Sequence, residues 1–158
     1  MDQKVIDNMD TECIPICEAM NEIYGVQTRG SCCGHGETRF MIYFNCYNTP
    51  SLYFITTAVE ESCYRLPEKE DPHYGSWECN FLCFNKKDNK EDNREGRKYL
   101  NLKRHKLQNT DPREGCLCPV FYLTTLSMKG EEAYQSADCI SEQIYELLNK
   151  CPDFRKYK

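Results

Sequence analysis

Apolar residues recur at helical spacing from about Thr11 to Tyr24, where Cys13, Ile16, Cys17, Met20, Ile23 and Tyr24 share one face. Pro15 then lies in the first turn, where its missing N–H does no harm, and Gly25 is placed to cap the C-terminal end. Val26 to Ser31 reads as a strand. Beyond a glycine-containing turn, Phe40, Ile42, Phe44 and Cys46 alternate with Met41, Tyr43 and Asn45, a period of two that predicts a strand with one face well buried. The pair forms a hairpin with a long connection. Thr49-Pro50 opens a second helix, with Thr49 as N-cap, Pro50 at the first helical position, and Leu52, Ile55, Val59 and Cys63 as the buried stripe.

A turn-rich stretch, Pro67 to Ser76, leads to a strand over Trp77–Phe84 with Trp77, Cys79, Phe81 and Cys83 on one face. Cys116 to Leu126 is the next strand, assigned toward a sheet edge because Pro119 cannot donate to a ladder. Gly130 to Lys150 carries the strongest helical pattern, with Ala133, Ala137, Ile140, Ile144, Leu147 and Leu148 on one face. Glu131 and Glu132 suit its positive dipole end, Lys150 suits the other, and Pro152 stops it. Residues 1–10 form a short leader in which Val5, Ile6 and Met9 can pack. This order predicts an α+β fold of two layers, a mainly antiparallel sheet with helices packed on one face.

The 158 residues suit a single domain, 1–158. Hydrophobic residues make up 40% and charged residues 28%, the balance of a globular chain rather than a disordered one. Residues 85–115 differ: ten Lys/Arg against six Asp/Glu give +4 in a chain of total −5, so the remainder carries −9. That segment reads as a basic, exposed insertion, a solvated arm or a patch for an acidic partner or nucleic acid. The negative total argues against nucleic acid as a partner of the whole chain. No apolar run approaches the roughly 18–20 residues that cross a bilayer, so no membrane is expected. The N-terminus has no basic region followed by an apolar stretch, so no signal peptide is expected either. With that absence, the twelve cysteines read mostly as reduced core thiols in a cytoplasmic protein.

Candidate chemistry centres on Ser31-Cys32-Cys33-Gly34-His35-Gly36, between the first two strands. Glycines two apart let the backbone take positive φ and approach a ligand closely. His35 between them can change charge near neutral pH without special tuning. As an anion or nucleotide cradle, the turn offers the Ser31 hydroxyl, the Cys32–Gly36 segment with its Gly34 and Gly36 amides, and His35; Arg29 and Arg39 flank it with charge-assisted donors. Lys129-Gly130 opens the long helix, whose first N–H groups suit an anion. Trp77 or one of the eleven tyrosines can stack on a base. The plainer alternative is a tight hairpin that His35 merely caps.

As metal ligands, Cys33 and His35 lie on one side in extended geometry, and Cys116-x-Cys118 adds two thiols. The paired Cys-x-x-Cys spacing of structural zinc sites is missing, however, and no metal or cofactor is assigned. Cys13-x-x-x-Cys17 and Cys79-x-x-x-Cys83 read as same-face positions on a helix and a strand. As a nucleophile, Cys32 or Cys33 beside His35 is a thiolate candidate, though neighbours on one turn seldom orient as a dyad. Glu60, Glu61, Glu131 and Glu132 read as exposed helical carboxylates, and His73 and His105 as surface residues.

The stretch Gly25-Val-Gln-Thr28, Ser31-Cys-Cys-Gly-His-Gly36 and Phe40-x-Ile42-x-Phe44, following an amphipathic helix, resembles a family of small uncharacterised proteins of bacteriophages and their hosts with a Ser-Cys-x-Gly-His-Gly turn. The C-terminal strand and helix, with Gly130-Glu-x-Ala133-Tyr134, is similar to the same family, so the likeness covers about half the chain. A weaker likeness is to the Ser-Cys turn of wybutosine-synthesis methyltransferases of the TYW-three type, from which Cys33 and His35 depart. The resemblance implies a phage context and, for a phage-encoded chain, the host cytoplasm. The expected function is therefore a non-catalytic protein that binds a small anionic, nucleotide-derived ligand, sequestering a host antiviral-defence signal. The alternatives are a nucleotide-acting enzyme using His35 with Cys32 or Cys33, and a host-protein interaction module using the 85–115 arm. A homo-oligomer is left open.

Overall fold

In the computed structural model, β1 (Val26–Cys32) and β2 (Met41–Cys46) pair antiparallel, with Val26 opposite Cys46 and Cys32 opposite Met41. The structure describes residues 1–62, 74–86 and 117–156. The 85–115 segment beyond its first two residues falls outside them, as do Cys63, His73, His105 and Cys116. Ahead of the hairpin stand a short α1 (Gln3–Asp7), a 3-10 turn at Thr11–Cys13 and α2 (Ile14–Asn21); after it come α3 (Thr49–Glu61), β3 (Trp77–Lys86), β4 (Leu117–Thr125) and α4 (Gly130–Lys150). The four strands form one antiparallel sheet in the order β1-β2-β4-β3. The fold is α+β in two layers, with α2, α3 and α4 sharing one core with the sheet. No described helix is long and apolar enough to cross a membrane.

The core follows the two periodicities. Phe40, Ile42 and Phe44 enter it from the β2 segment, and Ala133, Ala137, Ile140, Ile144 and Leu148 enter from α4, all fully buried. From α2 come Ile16, Cys17, Ala19 and Met20. Burying a side chain of this size contributes about 1.5–3 kcal/mol, so the stripe on α4 and the β2 face dominate what holds the layers together.

Three local expectations shift. The α3 cap is Asn48, whose side chain accepts from the Ser51 N–H at 2.8 Å, so Thr49 already lies inside the helix. Its buried residues are Ser51, Phe54, Ile55 and Ala58, with Leu52 and Val59 only partly covered, and the Phe54 ring meets Phe154 at 4.8 Å, tilted by 30°. The α2 helix ends at Asn21, so Gly25, at φ 76, serves the turn into β1 rather than the helix cap.

β4 runs in the interior of the sheet, not at its edge. Pro119 is tolerated there because the β2–β4 ladder stops short of it: Pro119 pairs with Phe84 of β3, and pairing with β2 begins only at Val120 opposite Asn45. The Asn45 side chain then donates from Nδ2 to the Pro119 carbonyl at 3.0 Å, taking the place of a β2 backbone donor. β1 is the edge on that side, and side chains hold one amide within it and one just past its end. Asn21 Oδ1 accepts from Thr28 N–H at 2.9 Å and Asp10 Oδ2 accepts from Cys33 N–H at 2.9 Å. An edge so occupied is a poor template for strand addition.

Candidate functional site

Gly34, His35 and Gly36 follow one another at φ 77, 51 and 80, three consecutive left-handed residues. Only glycine takes this region freely, and His35 is the one described non-glycine residue in it. At Gly34 space is also lacking: a Cβ there would lie 2.8 Å from the Arg39 carbonyl oxygen. This reversal carries the His35 ring back over the two cysteines. Its Nε2 lies 3.7 Å from Cys32 Sγ and its Nδ1 lies 3.6 Å from Cys33 Sγ.

Asp10, just ahead of the Thr11–Cys13 turn, completes the group with Oδ2 at 3.8 Å from His35 Nε2. The Cys33 N–H that it accepts holds its carboxyl below the ordinary value, against the opposing effect of burial. Burial pushes the Cys33 thiol upward. Tyr134, one turn into α4, donates its hydroxyl to Cys33 Sγ at 3.8 Å and is itself pushed up to about 12, chiefly by that bond. Cys33 is thus a buried, multiply contacted thiol. Cys32 is half-buried and His35 is exposed, its side chain 69% accessible.

The turn's amides turn inward on the turn itself. Gly34 N–H donates to Cys32 Sγ and His35 N–H to Cys33 Sγ, each at 3.4 Å, while Glu37 and Thr38 N–H return to the Gly34 carbonyl. With those donors taken and the Asp10 carboxylate alongside, a phosphate meets no open row of N–H groups here. The side chains expected to meet an anion are then those that flank the turn.

Those side chains are divided by β1. Ser31 lies opposite Ile42 on the helix side, beside the Cys13 and Cys17 thiols. Arg29, exposed at the irregularity between Thr28 and Gly30, shares a groove of about 410 Å³ with Lys4, Met9 and Ser31. Cys32 and Arg39 face the side of the sheet away from the described helices. There a shallow groove of about 530 Å³ is lined by Cys32, Thr38, Arg39, Met41, Glu78, Tyr122 and Thr124.

The α4 entry reaches the turn: a Cβ on Gly130 would lie 3.6 Å from Gly36 Cα, while Lys129 is exposed. Trp77 does not join the site. Its Nε1 donates to Ser136 Oγ at 2.9 Å and its ring meets Phe40 edge-on at 5.6 Å, toward the helix layer.

Asp10, Thr38, Tyr122 and Tyr134 escaped the sequence reading. Tyr134 alone carried a signal, as part of the Gly130-to-Tyr134 motif. Asp10 gave none beyond its place before a helical turn.

Fold and site together define a two-layer α+β protein with a thiol–imidazole–carboxylate cluster at a left-handed hairpin turn. No family model, curated protein or solved structure matches the chain.

Proposed function

We propose that the protein is a non-catalytic binding protein that holds a small anionic, nucleotide-class ligand beside the turn, on the sheet face away from the described helices. One observation carries the reading: the groove of about 530 Å³ sets the Arg39 guanidinium and the Tyr122 ring against one concave surface. Its size suits a small molecule. Arg39 supplies a charge-assisted contact to phosphate, Tyr122 a ring face for a base, and Glu78 an acceptor for a ribose hydroxyl. Arg39 is available for this. Its Nη1 stands 4.0 Å from Glu78 with half the side chain exposed, and such a surface pair contributes at most about 1 kcal/mol, less than a bidentate phosphate contact returns. The phage resemblance suggests sequestration of a host antiviral-defence signal as the role of such a binder.

Calorimetric titration with linear and cyclic nucleotides tests the reading. Binding by the wild type, weakened about 10–100-fold in Arg39→Ala as expected for loss of a hydrogen bond to a charged group, supports it. No heat with any nucleotide at high micromolar concentration refutes it.

The approach of Cys32 Sγ to His35 Nε2 at 3.7 Å favours a second reading, an enzyme acting on the bound nucleotide. Turnover that disappears in His35→Ala while binding persists distinguishes the two. A host-protein contact through the 85–115 arm is a third reading, tested by deleting the arm.

A further inference from the structure

We propose that Asp10, Cys32 and His35 form a zinc site. The three donors come from three separate places, the approach to the Thr11–Cys13 turn, the end of β1 and the left-handed turn, yet their ligand atoms all lie within 4.8 Å of one another. Zinc bound tetrahedrally at about 2.3 Å to sulfur, 2.0–2.1 Å to nitrogen and 2.0–2.2 Å to oxygen sets its ligand atoms roughly 3.3–3.6 Å apart. Cys32 Sγ to His35 Nε2 is 3.7 Å and His35 Nε2 to Asp10 Oδ2 is 3.8 Å. The nitrogen-to-oxygen separation is too long for an N–H···O bond, and the sulfur contact is a long one; a cation seated among the three donors would draw both edges in by only about 0.1–0.4 Å.

The surroundings fit the same ion. With Nε2 toward the metal, Nδ1–H faces Cys33 Sγ at 3.6 Å, the outer-shell acceptor that fixes a ligating imidazole's tautomer and tilt. Asp10 Oδ2 is steadied by the Cys33 N–H at 2.9 Å. The buried Cys33 thus orients two ligands without being one. The half-buried Cys32 and exposed His35 leave the site reachable from solvent. A mixed sulfur, nitrogen and oxygen set favours zinc over the hard cations magnesium and calcium. On binding, the Cys32 thiol releases its proton to solvent and its sulfur takes up a bond to the metal. Cys32 also lines the groove of the proposed nucleotide site, but the zinc measurement uses no nucleotide, so failure of one proposal is read separately from failure of the other.

The test uses the full chain with zinc or cobalt(II) alone. One equivalent of zinc binds in competition with a chromophoric chelator, and cobalt(II) gives a thiolate charge-transfer band. Cys32→Ser, His35→Ala and Asp10→Asn each weaken zinc by at least about tenfold, Cys32→Ser also loses the band, and Cys151→Ser, at an exposed position, changes neither. Should a variant fail to fold, the wild type still decides: zinc protects Cys32, and not Cys151, from alkylation mapped by peptide mass spectrometry. Equal alkylation of Cys32 with and without zinc overturns the proposal, as does zinc binding that Cys32→Ser leaves unchanged.

Discussion

Alanine at Gly34 and alanine at Gly36 impose the same backbone penalty in different surroundings. Both residues are left-handed, at φ 77 and 80, and a Cβ in that region costs about 1–2 kcal/mol. At Gly36 nothing lies within 4 Å of the added methyl, so the penalty ends there. At Gly34 the methyl would sit 2.8 Å from the Arg39 carbonyl oxygen, which has little freedom to retreat. The next residue, Phe40, is buried and tied to β4 by its N–H to Thr125 Oγ1 at 3.1 Å and by its carbonyl to Thr124 Oγ1 at 2.8 Å. Forcing an anchored backbone aside adds about 1–3 kcal/mol. Gly34→Ala is therefore expected to cost about 2–5 kcal/mol and Gly36→Ala about 1–2 kcal/mol. Urea melts followed by fluorescence of the single tryptophan, which packs on Phe40, measure both. Equal losses would refute the reasoning, since they would mean that the turn is not wedged against the strand that follows it.

Three further outcomes are expected. Asp10 titrates in the folded chain below its usual value; its contribution to stability is complete above about pH 4 and is lost as the pH falls through the lower folded value. Asp10→Asn should then show a shallower loss of stability between neutral and acid pH in parallel urea melts. Trp77→Phe removes the donor to Ser136, a buried hydroxyl, at about 1–2 kcal/mol by circular dichroism in urea. Alkylation at pH 8 should label the exposed Cys151 first and spare Cys13 and Cys17, whose thiols burial pushes up to about 12 and about 11, until the chain unfolds.

The fold was legible where one pattern dominated. Apart from Leu147, which is partly covered, the α4 stripe and the β2 alternation marked buried residues, and the two-layer α+β class follows from their order. Strand order was not legible. Pro119 argued for an edge, but what decides its fit is how far β2 extends alongside, a non-local fact with no trace in the β4 sequence. On α3 the pattern found Ile55 but not Phe54, whose ring meets Phe154, a hundred residues on. At the site, the Gly-His-Gly turn announced left-handed backbone correctly. The destination of its amides was hidden, since sulfur acceptors two residues back compete with any ligand for them. Asp10 was hidden for a similar reason: only the packing of the leader against the β1 edge brings its carboxylate to the turn.

The proposed binding place is the groove of Arg39 and Tyr122 beside the turn. Amide chemical-shift mapping during nucleotide titration tests this most directly. The expected result is saturable shifts at Cys32, Thr38, Arg39, Met41, Glu78 and Tyr122 with α2 and α4 unmoved. Shifts confined to the Arg29–Lys4 groove, or none at any residue, would contradict it.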